Sequence, residues 1–163
     1  MKVLVISDSH NRPDLVEICL RQNEAAEAVL FLGDVVTDIE KMPAKFPEKQ
    51  FHFVCGNCDW RDDYPNTRCV SLDGVTVFMA HGHTLGVKYG LTTLMSVARQ
   101  NEAQICLYGH THSPYNQYHN GLYVMNPGSL SEPRNSSRPS FGLIDIVPQG
   151  IVTNIVEFHP FRR

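Results

Sequence analysis

Long apolar runs are absent from this chain of 163 residues, since none of them approaches the ~20 residues that a helix needs to span a bilayer. The first ten residues, MKVLVISDSH, also lack the charged, apolar and small-residue regions of a signal peptide. The chain has five cysteines, an odd count that gives no disulfide framework. We therefore expect a soluble protein of the reducing cytoplasm.

A broad basic surface is missing as well. The chain has 14 lysines and arginines against 17 aspartates and glutamates, a net charge of −3, which argues against a nucleic-acid binder that works through a basic face. Internal repeats and low-complexity stretches are also absent. Residues 1–163 are therefore expected to form a single domain, which is large enough to bury a core without disulfides. Histidine, by contrast, is abundant, and its eight residues direct attention to metal binding.

Apolar patterns predict an α/β protein. Strand and helix signals alternate in the first half, which indicates parallel βαβ units, whereas the second half has hairpin signals. The predicted helices are 14–26, 38–45 and 88–102, the hairpin turns lie at 73–74, 120–121 and 148–150, and 129–140 is an irregular loop. The simplest arrangement is two mixed sheets that pack face to face and are covered by helices.

Side chains of the metal-binding type follow five of the predicted strands. They are Asp8 and His10, then Asp34, then Asn57, then His81 and His83, and finally His110 and His112. Ligands bind beyond the carboxyl ends of the strands in open α/β sheets, and residues at i and i+2 of an extended chain point to the same side. The sequence therefore predicts one cluster of these side chains. Taken singly, each could instead be a solvated residue, or a helix N-cap in the case of Asp8 and Asp34.

The number and type of donors predict the metal content. Without His83 there are seven donors, which exceed the needs of one ion, whereas two divalent ions bridged by a carboxylate would use them all. Imidazole, carboxylate and amide donors suit Mn, Fe, Co, Ni or Zn better than Ca or Mg. Two such ions beside only Asp8 and Asp34 leave a surplus of about two positive charges, which attracts phosphate. The remaining histidines, His52, His119 and His159, are expected to be structural or surface residues.

Six short motifs resemble those of the calcineurin-like metallophosphoesterase superfamily. They are DSH at 8–10, GD at 33–34, GNCD at 56–59, HGH at 81–83, GHTH at 109–112 and NPGS at 126–129, in the order that the family shows. The short length is most similar to the small single-domain prokaryotic phosphodiesterase branch. The resemblance implies a four-layer α-β-β-α sandwich with two mixed sheets and a metal site at the carboxyl ends of the strands.

The resemblance also implies a ligand set and a reaction. The first ion would be held by Asp8, His10, Asp34 and His112, and Asp34 would bridge to a second ion held by Asn57, His81 and His110. Manganese is the foremost candidate, with nickel, zinc, iron, cobalt or magnesium as alternatives. The implied reaction is hydrolysis of a small-molecule phosphodiester by a hydroxide that bridges the two ions.

Catalytic and substrate-binding candidates lie around the same motifs. The catalytic candidates are Asn57, Cys58, Asp59 and His83, and the substrate-binding candidates are Asn11, Arg12, Asn126 and Ser129. Many relatives read GNH where this chain reads GNC, and their histidine is thought to act as a general acid. Cys58 stands in that place, and a thiol with an ordinary pKa of ~8.5 can donate a proton but is no permanent cation.

The CxxC pair formed by Cys55 and Cys58 has two further interpretations. A zinc site would need a second such pair, which the sequence lacks, and a redox pair should begin a helix, whereas residues 60–65 look like loop. Cys55 is therefore expected to point into the core as a small hydrophobic residue.

Two other functions remain open. A phosphomonoesterase would need additional cations near the metals, for which Arg12, Arg134 and Arg138 are the candidates. A non-catalytic protein-binding scaffold, such as a eukaryotic trafficking-coat subunit, has a similar fold and a degraded metal site. The presence of both Asp34 and Asn57 favours an enzyme. Small members of the branch tend to form oligomers, so a homodimer or higher homo-oligomer is expected.

Overall fold

The computed structural model describes residues 1–60 and 63–160. These residues contain ten strands and three α-helices. The strands are β1 (Lys2–Ile6), β2 (Ala28–Phe31), β3 (Gln50–Phe53), β4 (Thr67–Leu72), β5 (Val75–Ala80), β6 (Ile105–Tyr108), β7 (Tyr115–His119), β8 (Leu122–Asn126), β9 (Ser140–Val147) and β10 (Gly150–Glu157). The helices are α1 (Pro13–Gln22), α2 (Met42–Lys45) and α3 (Thr92–Gln100), with short 3₁₀ turns at Val36–Asp38 and His83–Leu85. Arg61 and Asp62, which the sequence assigns to a loop, lie outside the described residues.

Both sheets are mixed, as predicted. The first has the strand order β10-β9-β1-β2-β3, in which β1, β2 and β3 are parallel and β9 and β10 are antiparallel. The second has the order β4-β5-β6-β8-β7, in which β5, β6 and β8 are parallel and the two edge strands are antiparallel. None of the helices in the described ranges has the length and apolar character to cross a membrane.

Three apolar clusters show that the sandwich has four layers. Val5, Leu30 and Met79 belong to the cluster between the two sheets. The outer face of the first sheet packs against α1, and the outer face of the second packs against α3. Alternate residues of β1 face opposite clusters, as the period of two in a strand requires. The predicted α-β-β-α arrangement is confirmed, and Cys55 is buried in the cluster beside α1.

Helix α1 ends at Gln22, four residues before the predicted end. Asn23 Nδ2 donates to the carbonyl of Cys19 at 2.8 Å. Lys49 Nζ donates to the carbonyls of Glu24 and Ala26, both at 2.7 Å. The polar side chains therefore satisfy carbonyl groups at and beyond the helix end, where the chain leaves the helix.

Helix α3 begins at Thr92 rather than at 88, because Gly86 and Gly90 precede it with φ of 65° and 150°. Such values are incompatible with a continuous α-helix. The predicted helix at 38–45 is divided into the 3₁₀ turn Val36–Asp38 and the single turn α2. The three predicted hairpins are confirmed as the pairs β4–β5, β7–β8 and β9–β10.

Candidate metal centre

The loops that carry the predicted ligands meet at one end of the sandwich. Asp8 and His10 follow β1, Asp34 follows β2, His81 follows β5, and His110 and His112 follow β6. In the first sheet, the amide of Asp8 donates to the carbonyl of Gly33 at 3.1 Å. In the second sheet, the amide of Gly109 donates to the carbonyl of His81 at 3.0 Å. These bonds fix the spacing of neighbouring loops, so the ligand cluster inherits the parallel order of the strands.

Four side chains form the tightest group. Asp8, His10, Asp34 and His112 offer ligand atoms that all lie within 4.8 Å of one another. His112 Nε2 is 3.2 Å from Asp8 Oδ1 and 3.1 Å from His10 Nε2. This group is the one that the family resemblance implies for the first ion.

Asp34 also faces a second group. Its Oδ2 lies 3.8 Å from His10 Nε2, whereas its Oδ1 lies 3.4 Å from His81 Nε2. The His81 ring is 5.0 Å from the ring of His110, measured between centroids. The two oxygens of Asp34 therefore face different groups of imidazoles.

Asn57 lies beside this cluster, on the turn after β3. Its side chain is exposed, and its Nδ2 donates to Cys58 Sγ at 3.4 Å. The structure thus brings six of the seven predicted ligands into close proximity and leaves the amide of Asn57 on the neighbouring loop.

Backbone carbonyls orient two of the imidazoles. His81 Nδ1 is 2.8 Å from the carbonyl oxygen of Leu32, and His112 Nδ1 is 2.7 Å from that of Glu132. A carbonyl only accepts hydrogen bonds, so Nδ1 must carry the proton in both rings. Nε2 of each neutral ring is then left with a lone pair for the cluster, as in metal-binding histidines.

Two buried polar atoms test whether the site fits a metal. Asp8 Oδ1 and His81 Nε2 are 4.0 Å apart, both are buried, and within the described ranges neither has a hydrogen-bond partner of good geometry. A buried acceptor without a partner is costly, and a cation between such atoms removes that cost. The donors are imidazole and carboxylate, so the residues fit a divalent transition-metal ion.

The backbone of these loops is strained. Asp8, His10, Asp34, His110 and His112 all have φ between 44° and 67°. Residues other than glycine adopt this left-handed region uncommonly, and such conformations concentrate at functional sites. The unfavourable backbone conformation thus occurs at five of the candidate ligands.

Close approach of the loops explains two of the motif glycines. A Cβ at Gly56 would lie 2.1 Å from Asp34 Oδ1, and one at Gly109 would lie 2.1 Å from Ser7 Oγ and 2.9 Å from Asp8 Oδ2. Any side chain at either position would displace a candidate ligand or its support.

Asp59, a predicted catalytic residue, is bonded to the backbone around Asp34. Its Oδ2 accepts from the amides of Asp34 at 3.0 Å and Gly56 at 2.8 Å, and its Oδ1 accepts from the amide of Val36 at 2.7 Å. The carboxylate therefore fixes the loop that carries Asp34.

Among the predicted substrate contacts, Asn126 and Ser129 are buried. Asn126 Nδ2 donates to the carbonyl of Gly109 at 2.8 Å, and Ser129 Oγ donates to that of Asp8 at 2.7 Å. Arg12 is exposed and is paired with Asp14 at 2.7 Å. The structure therefore places the first two behind the ligand loops and leaves Arg12 with a carboxylate partner at the surface.

Burial and neighbouring charges shift the pKa values of the clustered side chains in different directions. Burial opposes the charge of Asp34, but His81 outweighs burial and holds the pKa of Asp34 well below its usual range. Burial likewise opposes the charges of His81 and His112, but Asp34 and Asp8 raise the pKa of His81, and Asp8 raises that of His112. Burial, with the charge of His81, lowers the pKa of His110 to about 4. His81 and His112 thus bind protons more readily than free imidazoles, and a metal at Nε2 of either ring would compete with those protons.

His83 and Cys58 complete the immediate surroundings. The His83 ring lies 5.4 Å from that of His81, and burial followed by the charge of His81 lowers the pKa of His83. Burial and then the Asp34 carboxylate raise the pKa of the Cys58 thiol to about 11. His83 is therefore neutral and Cys58 protonated near pH 7.

An open cavity of about 370 Å³ adjoins the cluster. Its lining residues are His10, Asn11, Val35, Thr37, Cys58, Asp59 and Trp60. Val35, Thr37 and Trp60 were not predicted, because each lies in a loop whose direction no sequence pattern sets. Ser7 Oγ donates a hydrogen bond to Asp8 Oδ2 at 2.6 Å. This contact was not predicted either, although Ser7 lies next to Asp8 in the sequence and could have drawn attention to it.

The four-layer sandwich and its Asp/His cluster define an α/β protein with a metal-binding type of site. The chain belongs to the calcineurin-like phosphoesterase superfamily, since the sequence profile of that domain matches residues 1–149. This places it among the phosphoesterases, which are hydrolases, and confirms the family predicted from the motifs.

Three similar proteins give the family context. The phosphodiesterase YfcE of Escherichia coli K12 is 28% identical over 168 residues, an alignment that covers 89% of this chain and 88% of YfcE. The crystal structure of a predicted phosphoesterase from Streptococcus pneumoniae has a TM-score of 0.83 and 26% identity, with 98% of this chain and 93% of that chain covered. Vps29 of Entamoeba histolytica complexed with Zn²⁺ has a TM-score of 0.74 at 24% identity, covering 98% and 100%, which shows a shared fold.

Proposed function

We propose that the protein is a phosphodiesterase that works with two divalent metal ions. The observation that carries the proposal is Asp34, whose two carboxylate oxygens face two separate groups of imidazoles. The name of the E. coli relative, a phosphodiesterase, supports the same reaction class. Residues 1–163 are proposed to act as one cytoplasmic domain, and the family resemblance favours a homo-oligomer.

The proposed ligand sets follow the two groups. One ion would be held by Asp8, His10, Asp34 and His112, and the other by Asp34, Asn57, His81 and His110. Metal ions bound there would supply Lewis-acid activation of water and neutralise charge on the phosphoryl group. Asn57 would bind through its amide oxygen, whereas its bond to Cys58 uses the amide nitrogen Nδ2. We propose manganese as the foremost ion, with zinc, nickel, iron, cobalt and magnesium as alternatives.

The chain's own residues would then orient the ester. A neutral His83 can donate a hydrogen bond to a phosphoryl oxygen, because its imidazole keeps one N–H at neutral pH. Cys58 keeps its S–H at neutral pH, since its pKa is about 11, and can donate it toward the leaving oxygen. Such a weak donor favours esters whose leaving groups need little protonation.

The test is hydrolysis of bis(p-nitrophenyl) phosphate by metal-stripped protein that is titrated with Mn, Ni, Zn or Mg. Metal-dependent turnover is expected in the wild type and is expected to be lost in Asp34→Asn. Asp14→Asn is the matched control, because Asp14 is an exposed carboxylate whose charge pairs with Arg12. Metal binding without turnover for any of the four metals would overturn the proposal and favour a protein-binding scaffold.

Phosphomonoester hydrolysis is the second candidate, and Arg134 is the residue that favours it. The amide of Arg134 donates to the carbonyl of His112 at 3.1 Å, and the positive charge of Arg134 acts to lower the pKa of His112. Arg12 and Arg138, by contrast, are paired with Asp14 and Glu157. If the protein were a monoesterase, Arg134→Ala would lower turnover of p-nitrophenyl phosphate much more than that of the diester. Equal small effects would support the diesterase.

A further inference from the structure

The cavity beside the candidate metal ligands has two different walls. Its inner wall includes His10, a candidate metal ligand, and Cys58, and its outer wall includes Trp60. Its volume of about 370 Å³ lies within the range of small-molecule sites, roughly 300–1,000 Å³. A phosphodiester bound at the metals can therefore extend one of its two ester groups into this space.

Trp60 is exposed to an unusual degree for its type. Its relative exposure is 95%, and within the described residues it makes no ring contact or hydrogen bond. Tryptophan is highly buried on average, since its large apolar surface gains most from leaving water. An indole that is exposed to this degree is accessible to a ligand.

The backbone beside Trp60 is fixed in place. The neighbouring Asp59 accepts three backbone hydrogen bonds, from Asp34, Val36 and Gly56. Two of these amides flank Val35, which is held at φ 70°, a value that β-branched residues seldom adopt. Val35 also lines the cavity. The carboxylate next to Trp60 in the sequence thus fixes the strained part of the wall, so this part of the cavity is preorganised.

The polarity of the cavity wall determines which chemical group of a substrate the cavity can bind. Asn11 and Thr37 offer neutral hydrogen-bonding groups, and Val35 and Trp60 offer apolar surface. Among the described lining residues there is no lysine or arginine to pair with a second phosphate. An acyl chain would use only the apolar part of this wall and would make no hydrogen bond to Asn11 or Thr37. A planar aromatic group with hydrogen-bonding edges matches both kinds of wall.

We propose that this cavity is a subsite for a nucleobase of the substrate, which stacks on Trp60 and bonds to Asn11 and Thr37. The inference rests on the proposed phosphodiesterase function and narrows the substrate to nucleotide diesters. Stacking on an aromatic residue contributes enough that its removal weakens binding by about tenfold.

The chain provides a direct probe, because Trp60 is its only tryptophan. Protein fluorescence therefore reports on this one ring. Titration with AMP, in metal-loaded and metal-stripped protein, is expected to quench the emission, shift it to shorter wavelength and protect it from acrylamide. Glycerol 3-phosphate, which carries the same phosphate without a base, is expected to do none of these. Equal responses to both compounds, or no response to AMP at millimolar concentration, would overturn the subsite.

Kinetics with thymidine 5′-(p-nitrophenyl phosphate) give a second test. Trp60→Ala is expected to raise KM about tenfold, and Trp60→Phe is expected to restore most of the loss, since a smaller ring still stacks. Tyr89→Ala is the control, because Tyr89 is 97% exposed but borders a different cavity. An unchanged KM in Trp60→Ala would refute the inference.

The two proposals fail in different ways. Turnover that does not depend on Trp60 would leave the phosphodiesterase standing and remove the nucleobase subsite. Quenching by AMP in a protein that hydrolyses no diester with any metal would leave the subsite standing and remove the proposed reaction.

Discussion

Asp59 is the residue whose replacement tests the construction of the site most directly. Its carboxylate accepts from the amides of Asp34, Gly56 and Val36 at 2.7 to 3.0 Å. Asp59→Asn keeps the shape of the side chain but offers one acceptor oxygen. If that oxygen takes the place of Oδ2, the amides of Asp34 and Gly56 donate to a neutral oxygen instead of a carboxylate. The new NH₂ group then faces the amide of Val36, and two donors cannot form a hydrogen bond with each other.

The cost follows from these three bonds. An unsatisfied amide costs about 1–3 kcal/mol, and each of the two bonds that lose their charge weakens by roughly 0.5–1 kcal/mol, so the sum is about 2–5 kcal/mol. Small domains have about 5–15 kcal/mol in total, so the variant should still fold. We also expect weaker metal binding, because the loop that holds Asp34 is no longer fixed.

Two assays measure the effect. Urea unfolding of metal-free protein gives the free energy of unfolding, and calorimetric titration with Zn²⁺ or Mn²⁺ gives the affinity. Asp73→Asn is the control, because Asp73 is an exposed hairpin residue at φ 50°, which asparagine tolerates, and its bond to the N-terminal amine is 3.4 Å long. Wild-type stability and metal affinity in Asp59→Asn would refute the reasoning.

Three further predictions concern the same site. Cys58→Ala is expected to lower kcat for an activated aryl diester by less than about tenfold, because a thiol with a pKa of about 11 is a weak proton donor; a loss as large as that of Asp34→Asn would contradict this. The raised pKa values of His81 and His112 mean that metal binding displaces protons and that metal affinity falls as pH decreases below those values. Calorimetry in two buffers of different ionisation enthalpy should therefore show protons released on metal binding at pH 7, and binding without proton release would refute the assignment. Gly109→Ala is expected to lower the free energy of unfolding by about 1–3 kcal/mol, since its Cβ would lie 2.1 Å from Ser7 Oγ; an unchanged thermal midpoint would contradict the packing.

The sandwich could be predicted because its strands are strongly patterned. The buried run that became β1 and the turn pairs Asp73-Gly74 and Asn120-Gly121 carry local signals that tertiary contacts did not override. Helix ends were less predictable. The end of α1 depends on Lys49, whose amine reaches back to carbonyls 23 and 25 residues earlier in the chain. A long-range contact of that kind has no local sequence pattern.

The same distinction applies to the candidate site. The positions of Asp8, Asp34, His81 and His110 follow from the rule that ligands lie beyond the carboxyl ends of parallel strands. The rule places a residue at the correct edge but does not orient its side chain. Asn57 shows the difference, since it follows its strand as predicted and yet its amide is bonded to Cys58.

Orientation in this site comes from contacts between residues that are distant in sequence. The carbonyl of Leu32 fixes the ring of His81, 49 residues further along the chain, and Asp59 fixes the loop of Asp34 through its backbone amides. Neither contact can be inferred from a motif, because carbonyls and amides are present at almost every residue. The motifs therefore supply the chemical groups of the site, and the packing of the loops determines which of those groups can act together.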